Sequence, residues 1–231
     1  TLLLLIWAWS AVALCAPHEH KAPVVLAPGY APLSFTPPEP GSYALPAMGS
    51  AADGAVIDSD GNSAKLHDFL GGKPTVLSFI FTTCDDVNGC PLATYVMRSV
   101  QDALQADPAT ADKARLLSFS FDPVYDTPDV IDAYGSQFRA GDFDWQFLTT
   151  EGATTLDPIL NAYGQWVIRD YDENGEYMGT MSHILRVFLI DESRQIRNIY
   201  STSFLHADTV ANDVRSLLME AAAEPSADTG S

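Results

Sequence analysis

Two cysteines and one distant histidine are the residues of this chain best equipped for chemistry. Cys84 and Cys90 flank the loop in Phe81-Thr-Thr-Cys-Asp-Asp-Val-Asn-Gly-Cys-Pro91, and His183 follows Cys90 by 93 residues. Two soft thiolates and an imidazole form a donor set suited to copper. The two thiols alone, Cys84 and Cys90, would equally serve as a redox pair passing between dithiol and disulfide. Zinc accepts two Cys and a His, but no fourth ligand stands out. Asp85 and Asp86 add hard oxygen atoms beside this soft set. His67 and His206 sit at helix starts and read as structural.

The elements around these residues have to place them. Thr75-Val-Leu-Ser-Phe-Ile-Phe81 is a continuous apolar run, which predicts a buried strand. After the cysteines, Leu92, Tyr95, Val96, Val100, Ala103 and Leu104 recur at helical spacing, and Pro91 suits the first turn of a helix. The thiols therefore sit where a strand turns into a helix. A thiol at a helix N-terminus ionises more easily, so Cys90 is expected to be the partly ionised one. His183 precedes a second apolar run, Ile184-Leu-Arg-Val-Phe-Leu-Ile190, with an irregular loop expected over Asp172 to Ser182. A hairpin over 167–190 would bring that loop toward the cysteines.

Elsewhere the pattern predicts a hairpin turning at Asp60-Gly61 and a short helix over 66–70. It predicts strands over 115–121, 145–148, 167–171 and 195–200, and helices over 128–138, 155–163 and 207–222. Alternating strands and helices imply an α/β fold, a central sheet flanked by helices with an N-terminal hairpin extension. The cysteines then lie at the carboxyl ends of its strands, where such sheets bind ligands.

With 231 residues there is room for one domain and flanking segments. The formal net charge of −18 argues against nucleic-acid binding and against an anionic membrane surface. Residues 1–16 are uncharged and apolar, which predicts a signal peptide or a membrane anchor. Val12-Ala-Leu-Cys15 also resembles a lipoprotein box. Each alternative places the folded part outside the cytoplasm, where free thiols tend to pair. Residues 17–41 are rich in proline and predict a stiff tether, which carries the His18-Glu-His20 pair. The folded domain is expected over 42–222 and a disordered tail over 223–231.

Four stretches carry a resemblance to a known family. Gly72-Lys-Pro-Thr-Val-Leu-Ser-Phe-Ile-Phe-Thr-Thr-Cys84, Cys90-Pro91, Phe121-Asp-Pro-Val-Tyr-Asp-Thr-Pro128 and His183 resemble the Sco/SenC proteins. These are copper proteins of cytochrome oxidase assembly. The resemblance implies a thioredoxin-like fold and copper held by Cys84, Cys90 and His183. It implies a metallochaperone rather than an enzyme, with a cytochrome c oxidase subunit or another cuproprotein as client. A thiol–disulfide oxidoreductase acting on a cuproprotein is the alternative. It also implies a monomer tethered to a membrane, in the periplasm or the mitochondrial intermembrane space. The chain departs from the family pattern in two places: five residues rather than three separate its cysteines, and Ser182 replaces an Asp before the histidine.

Overall fold

Residues 24–223 are described by a computed structural model of the chain. The leader expected over 1–16, the His18/His20 pair and all of the tail except Ala223 lie outside these residues. Ala223 itself closes the last helix.

In chain order the elements are β1 (Ala55–Asp58), β2 (Ser63–Lys65), α1 (Leu66–Phe69), β3 (Thr75–Ile80), α2 (Cys90–Gln105), β4 (Arg115–Ser120) and α3 (Pro128–Gly135). They continue with β5 (Trp145–Thr149), α4 (Ala153–Ala162), β6 (Val167–Tyr171), β7 (Tyr177–His183), β8 (Arg186–Ile190), β9 (Ile196–Ser201) and α5 (Ala207–Ala223). Seven strands form one mixed sheet in the order β2-β1-β5-β4-β3-β8-β9. β3 runs parallel to β4 and antiparallel to β8, so it lies near the middle. All six of its residues are buried, as the unbroken apolar run requires of a strand covered on both faces. The expected hairpin extension is β1–β2, which adds to the sheet through antiparallel pairing of β1 with β5.

Packing at the sheet fixes the helix that carries the second cysteine. Leu92, Val96, Val100 and Leu104 are fully buried along one face of α2, which packs against α5 and β3. Gly89 occupies the N-cap and Pro91 the first turn. Thr127 takes the N-cap of α3, but its side chain makes no capping bond. The core aromatic rings of Phe79, Phe119, Tyr163 and Phe188 interlock with centroids 5.3 to 6.0 Å apart.

Two expectations are corrected. Residues 172–182 are not an irregular loop: Asp172 to Glu176 is a tight turn, and Tyr177–His183 is a strand. β6 and β7 form a separate two-stranded ribbon in which Val167 pairs with His183. The stiff tether expected over 17–41 is likewise, from residue 24 onward, docked on the domain rather than extended away from it. A single turn of 3-10 helix, Pro28–Tyr30, is seated on the domain with Gly29 buried. Ala31 and Pro38 offer their carbonyls to His206 Nε2 and Asn212 Nδ2, at 2.8 and 3.1 Å. Proline content made the segment stiff, and stiffness lowered the entropic cost of laying it down. Among the described residues no helix is long and apolar enough to cross a membrane.

Candidate metal centre

Each member of the sequence-derived triad is delivered by a different element. Cys90 opens α2 and is buried. Cys84 lies half-buried in the loop after β3, its N–H donating to the Phe81 carbonyl at 3.3 Å. His183 ends β7, and only two residues separate it from the start of β8 in the main sheet. Because β8 pairs with β3, the β7–β8 junction arrives at the same sheet edge as the cysteine loop. Cys90 Sγ lies 3.9 Å from His183 Nε2. The imidazole is enclosed by Phe121 at 4.8 Å and Phe81 at 6.2 Å, centroid to centroid.

The two thiols are not equivalent. Interaction with Cys90 is the main influence drawing the Cys84 thiol down to about 7, with burial opposing it. Burial, reinforced by the neighbouring Cys84, pushes Cys90 well above the usual thiol range. This reverses the expectation that Cys90 would be the partly ionised cysteine. The helix N-terminus favours a thiolate, but Cys90 is too far out of water for that to prevail. The Phe81 N–H does reach Cys90 Sγ, at 3.4 Å. Burial also lowers the His183 pKa, against a weaker pull from Asp86, so the ring is neutral and free to donate a lone pair at pH 7.

The acidic residues of the loop have separate tasks. Asp86 orders the turn, its Oδ1 accepting the Asn88 N–H at 3.0 Å and its carbonyl the Gly89 N–H at 2.8 Å. Asp85 is exposed. Sequence reasoning missed a third carboxylate, Asp126, which is fully buried. It accepts hydrogen bonds from the Thr82 N–H, the Thr82 hydroxyl and the Ser120 hydroxyl. Asp126 thereby ties the start of the cysteine loop to the end of β4. The signal was present in Asp122-Pro-Val-Tyr-Asp-Thr-Pro128, but only as a resemblance, with no role attached. His67 and His206 are structural, as expected: each ring Nε2 meets a backbone carbonyl, Ala51 and Ala31 respectively.

A cavity of about 380 Å³ opens beside the thiols, lined by Cys84, Cys90, Phe81, Pro91, Tyr95 and Tyr134. Among the described residues no three His, Cys, Asp or Glu side chains are already gathered tightly enough to hold a metal ion. Cys90 and His183 are close enough to share one. Cys84 stands on the adjoining loop.

A mixed sheet with helices packed on it, a dithiol at the carboxyl end of its central strand and a facing imidazole define a thioredoxin-like domain of the metal-binding or redox type. The family model described as SCO1/SenC matches residues 52–219, and the chain belongs to that family. It is 32% identical over 92 residues to the SCO1 protein homolog of Bacillus subtilis. That match covers 40% of this chain and 45% of the relative, so the chain spans a little under half the length of this curated relative. The fold is similar to that of Arabidopsis thaliana ScoI with copper bound, with a TM-score of 0.62 and 20% identity over 75% of this chain and 99% of that one. Bradyrhizobium japonicum ScoI with copper bound gives 0.60 and 24% identity over 73% and 99%.

Proposed function

We propose that this chain binds one copper ion through Cys84, Cys90 and His183 and delivers it to a copper centre, with cytochrome c oxidase as the expected recipient. The observation that carries this reading is the 3.9 Å approach of Cys90 Sγ to His183 Nε2 across 93 residues of chain. Copper–thiolate and copper–imidazole bonds of roughly 2 Å each fit a sulfur and a nitrogen at that separation. Cys84, held at about 7, supplies a thiolate near neutral pH. The two Sco structures with copper bound support the reading through the shared family. The ion is cargo, bound tightly enough to carry and loosely enough to release. A site outside the cytoplasm, membrane-tethered through the leader, and a monomeric carrier complete the proposal, and one domain over 42–222 remains its expected extent.

A second reading has its own support. The pairing of a thiol at about 7 with a buried partner is the arrangement of a dithiol reductant, in which the first attacks and the second resolves. That reading does not need His183. Titrating copper into the reduced chain and its His183→Ala variant separates the two. A thiolate-to-Cu(II) charge-transfer band that disappears with His183 supports the copper carrier. Absence of the band from the wild type, or its indifference to His183, leaves the redox reading in possession.

A further inference from the structure

The strap formed by residues 24–41 meets the cysteine loop at two residues. Asn88 lies among the five residues between the cysteines and uses both ends of its amide. Its Oδ1 accepts the Ala27 N–H at 2.7 Å, and its Nδ2 donates to the Val25 carbonyl at 2.8 Å. One residue earlier, the Val87 carbonyl accepts the Tyr30 hydroxyl at 2.6 Å. The strap is itself immobilised. The Tyr30 ring packs on Tyr95 of α2 with centroids 5.0 Å apart. Gly29 lies so close to Leu205, Val96 and Leu92 that a Cβ there would stand 2.4 Å from the Leu205 carbonyl oxygen.

We propose that Asn88 and Tyr30 are positioning residues, through which the strap holds the cysteine loop so that Cys84 stays against Cys90. The inference rests on Cys84 and Cys90 being the working thiols, not on copper itself. Five residues between two thiols leave the loop many conformations in which the sulfurs stand apart. Fixing Val87 and Asn88 on a docked segment removes most of them before any ligand arrives. The pinned residues sit directly against Gly89, the N-cap of α2, so the restraint acts next to Cys90 as well.

The test is metal-free and uses the full chain. Wild type, Asn88→Ala, Asn88→Asp and Tyr30→Phe are equilibrated with mixtures of reduced and oxidised glutathione, and the Cys84–Cys90 disulfide is quantified. Each turnover joins the two sulfurs with loss of two electrons and two protons and reduces one glutathione disulfide to two thiols. Asn88→Ala and Tyr30→Phe should each lower the effective concentration of one thiol at the other by about fivefold to tenfold. Asn88→Asp keeps the acceptor for Ala27 but loses the donor to Val25, and should fall between. Tyr30→Phe is the decisive variant. It alters no atom of the loop and removes a single oxygen, so a folding defect is not at issue; thermal unfolding verifies this. An equilibrium unchanged or raised in both Asn88→Ala and Tyr30→Phe overturns the proposal. The same proteins are then titrated with Cu(I) against a chromophoric chelator. If the thiol equilibrium shifts but wild type takes no copper, the brace stands and the copper reading falls. If copper binds while the thiol equilibrium is flat, the copper reading stands and the brace falls.

Discussion

The carboxylate of Asp126 receives the Thr82 N–H at 3.1 Å across 44 residues of chain, and receives the Thr82 hydroxyl as well. The residue two places before Cys84 is thus anchored from the loop between β4 and α3 rather than by its own loop. Replacing Asp126 with Ala would leave the Thr82 N–H and the buried Ser120 hydroxyl without their acceptor. We expect a loss of about 2–3 kcal/mol in chemical denaturation, together with weakened copper binding. A variant with wild-type stability would show that water replaces the carboxylate.

Alkylation should separate the thiols. Cys84 is half-buried with its pKa at about 7, while Cys90 is buried and pushed up. Iodoacetamide on the reduced chain should label Cys84 at least ~10-fold faster than Cys90. The Cys84 rate should rise with pH through a midpoint near 7. Peptide mass spectrometry over time reads both. Faster labelling of Cys90 would contradict the assignment of roles.

Much of this was legible in advance, for reasons that particular residues make plain. β3 and α2 announced themselves through burial, one as an unbroken apolar run and the other as a periodic stripe. β7 did not, because its ribbon stands off the main sheet. Of Tyr177–His183, Met181 is buried while Tyr177, Met178 and Ser182 are exposed, so no alternation of apolar and polar residues marks it as a strand. The docked strap was invisible for a different reason: a key contact residue, Gly29, has no side chain to signal burial. Asp126 carried no hydropathic signal, and its role lies wholly in hydrogen bonds that need the folded chain to exist.

Gly29 gives a packing test of the strap. Its ideal Cβ would meet the Leu205 carbonyl at 2.4 Å and the Val96 Cγ2 at 3.0 Å, and the first of these contacts is backbone. Gly29→Ala should cost about 1–3 kcal/mol and should speed hydrogen exchange at the Ala27 amide. Unaltered exchange there would mean that the strap shifts as a body and keeps its grip on Asn88.

Acid should weaken the fold through Asp144. Burial works to raise its pKa, but Lys73 and Arg115, both at 2.8 Å, and Gln146 outweigh it and hold the carboxyl below its usual range. A carboxylate with a depressed pKa contributes stability that is complete above its unfolded value, about 4. The contribution is lost as pH falls through the lower folded value. Asp144→Asn should therefore be less stable than wild type at pH 7, and the gap should narrow as pH falls below about 4. Urea denaturation at a series of pH values measures this, and a gap independent of pH would remove Asp144 as the cause.

The pairing of β3 with β8 has a further consequence, in the order of events during synthesis. Cys84 and Cys90 emerge from the ribosome long before His183, and His183 reaches them only after β8 has docked beside β3. That pairing joins segments more than a hundred residues apart, the kind of contact that forms late because its loop must close first. Until then the nascent polypeptide carries a dithiol without its imidazole. Through that interval the cysteines can be oxidised before the imidazole arrives, so the approach of His183 to Cys90 comes into being with the finished sheet and is lost when β8 lets go.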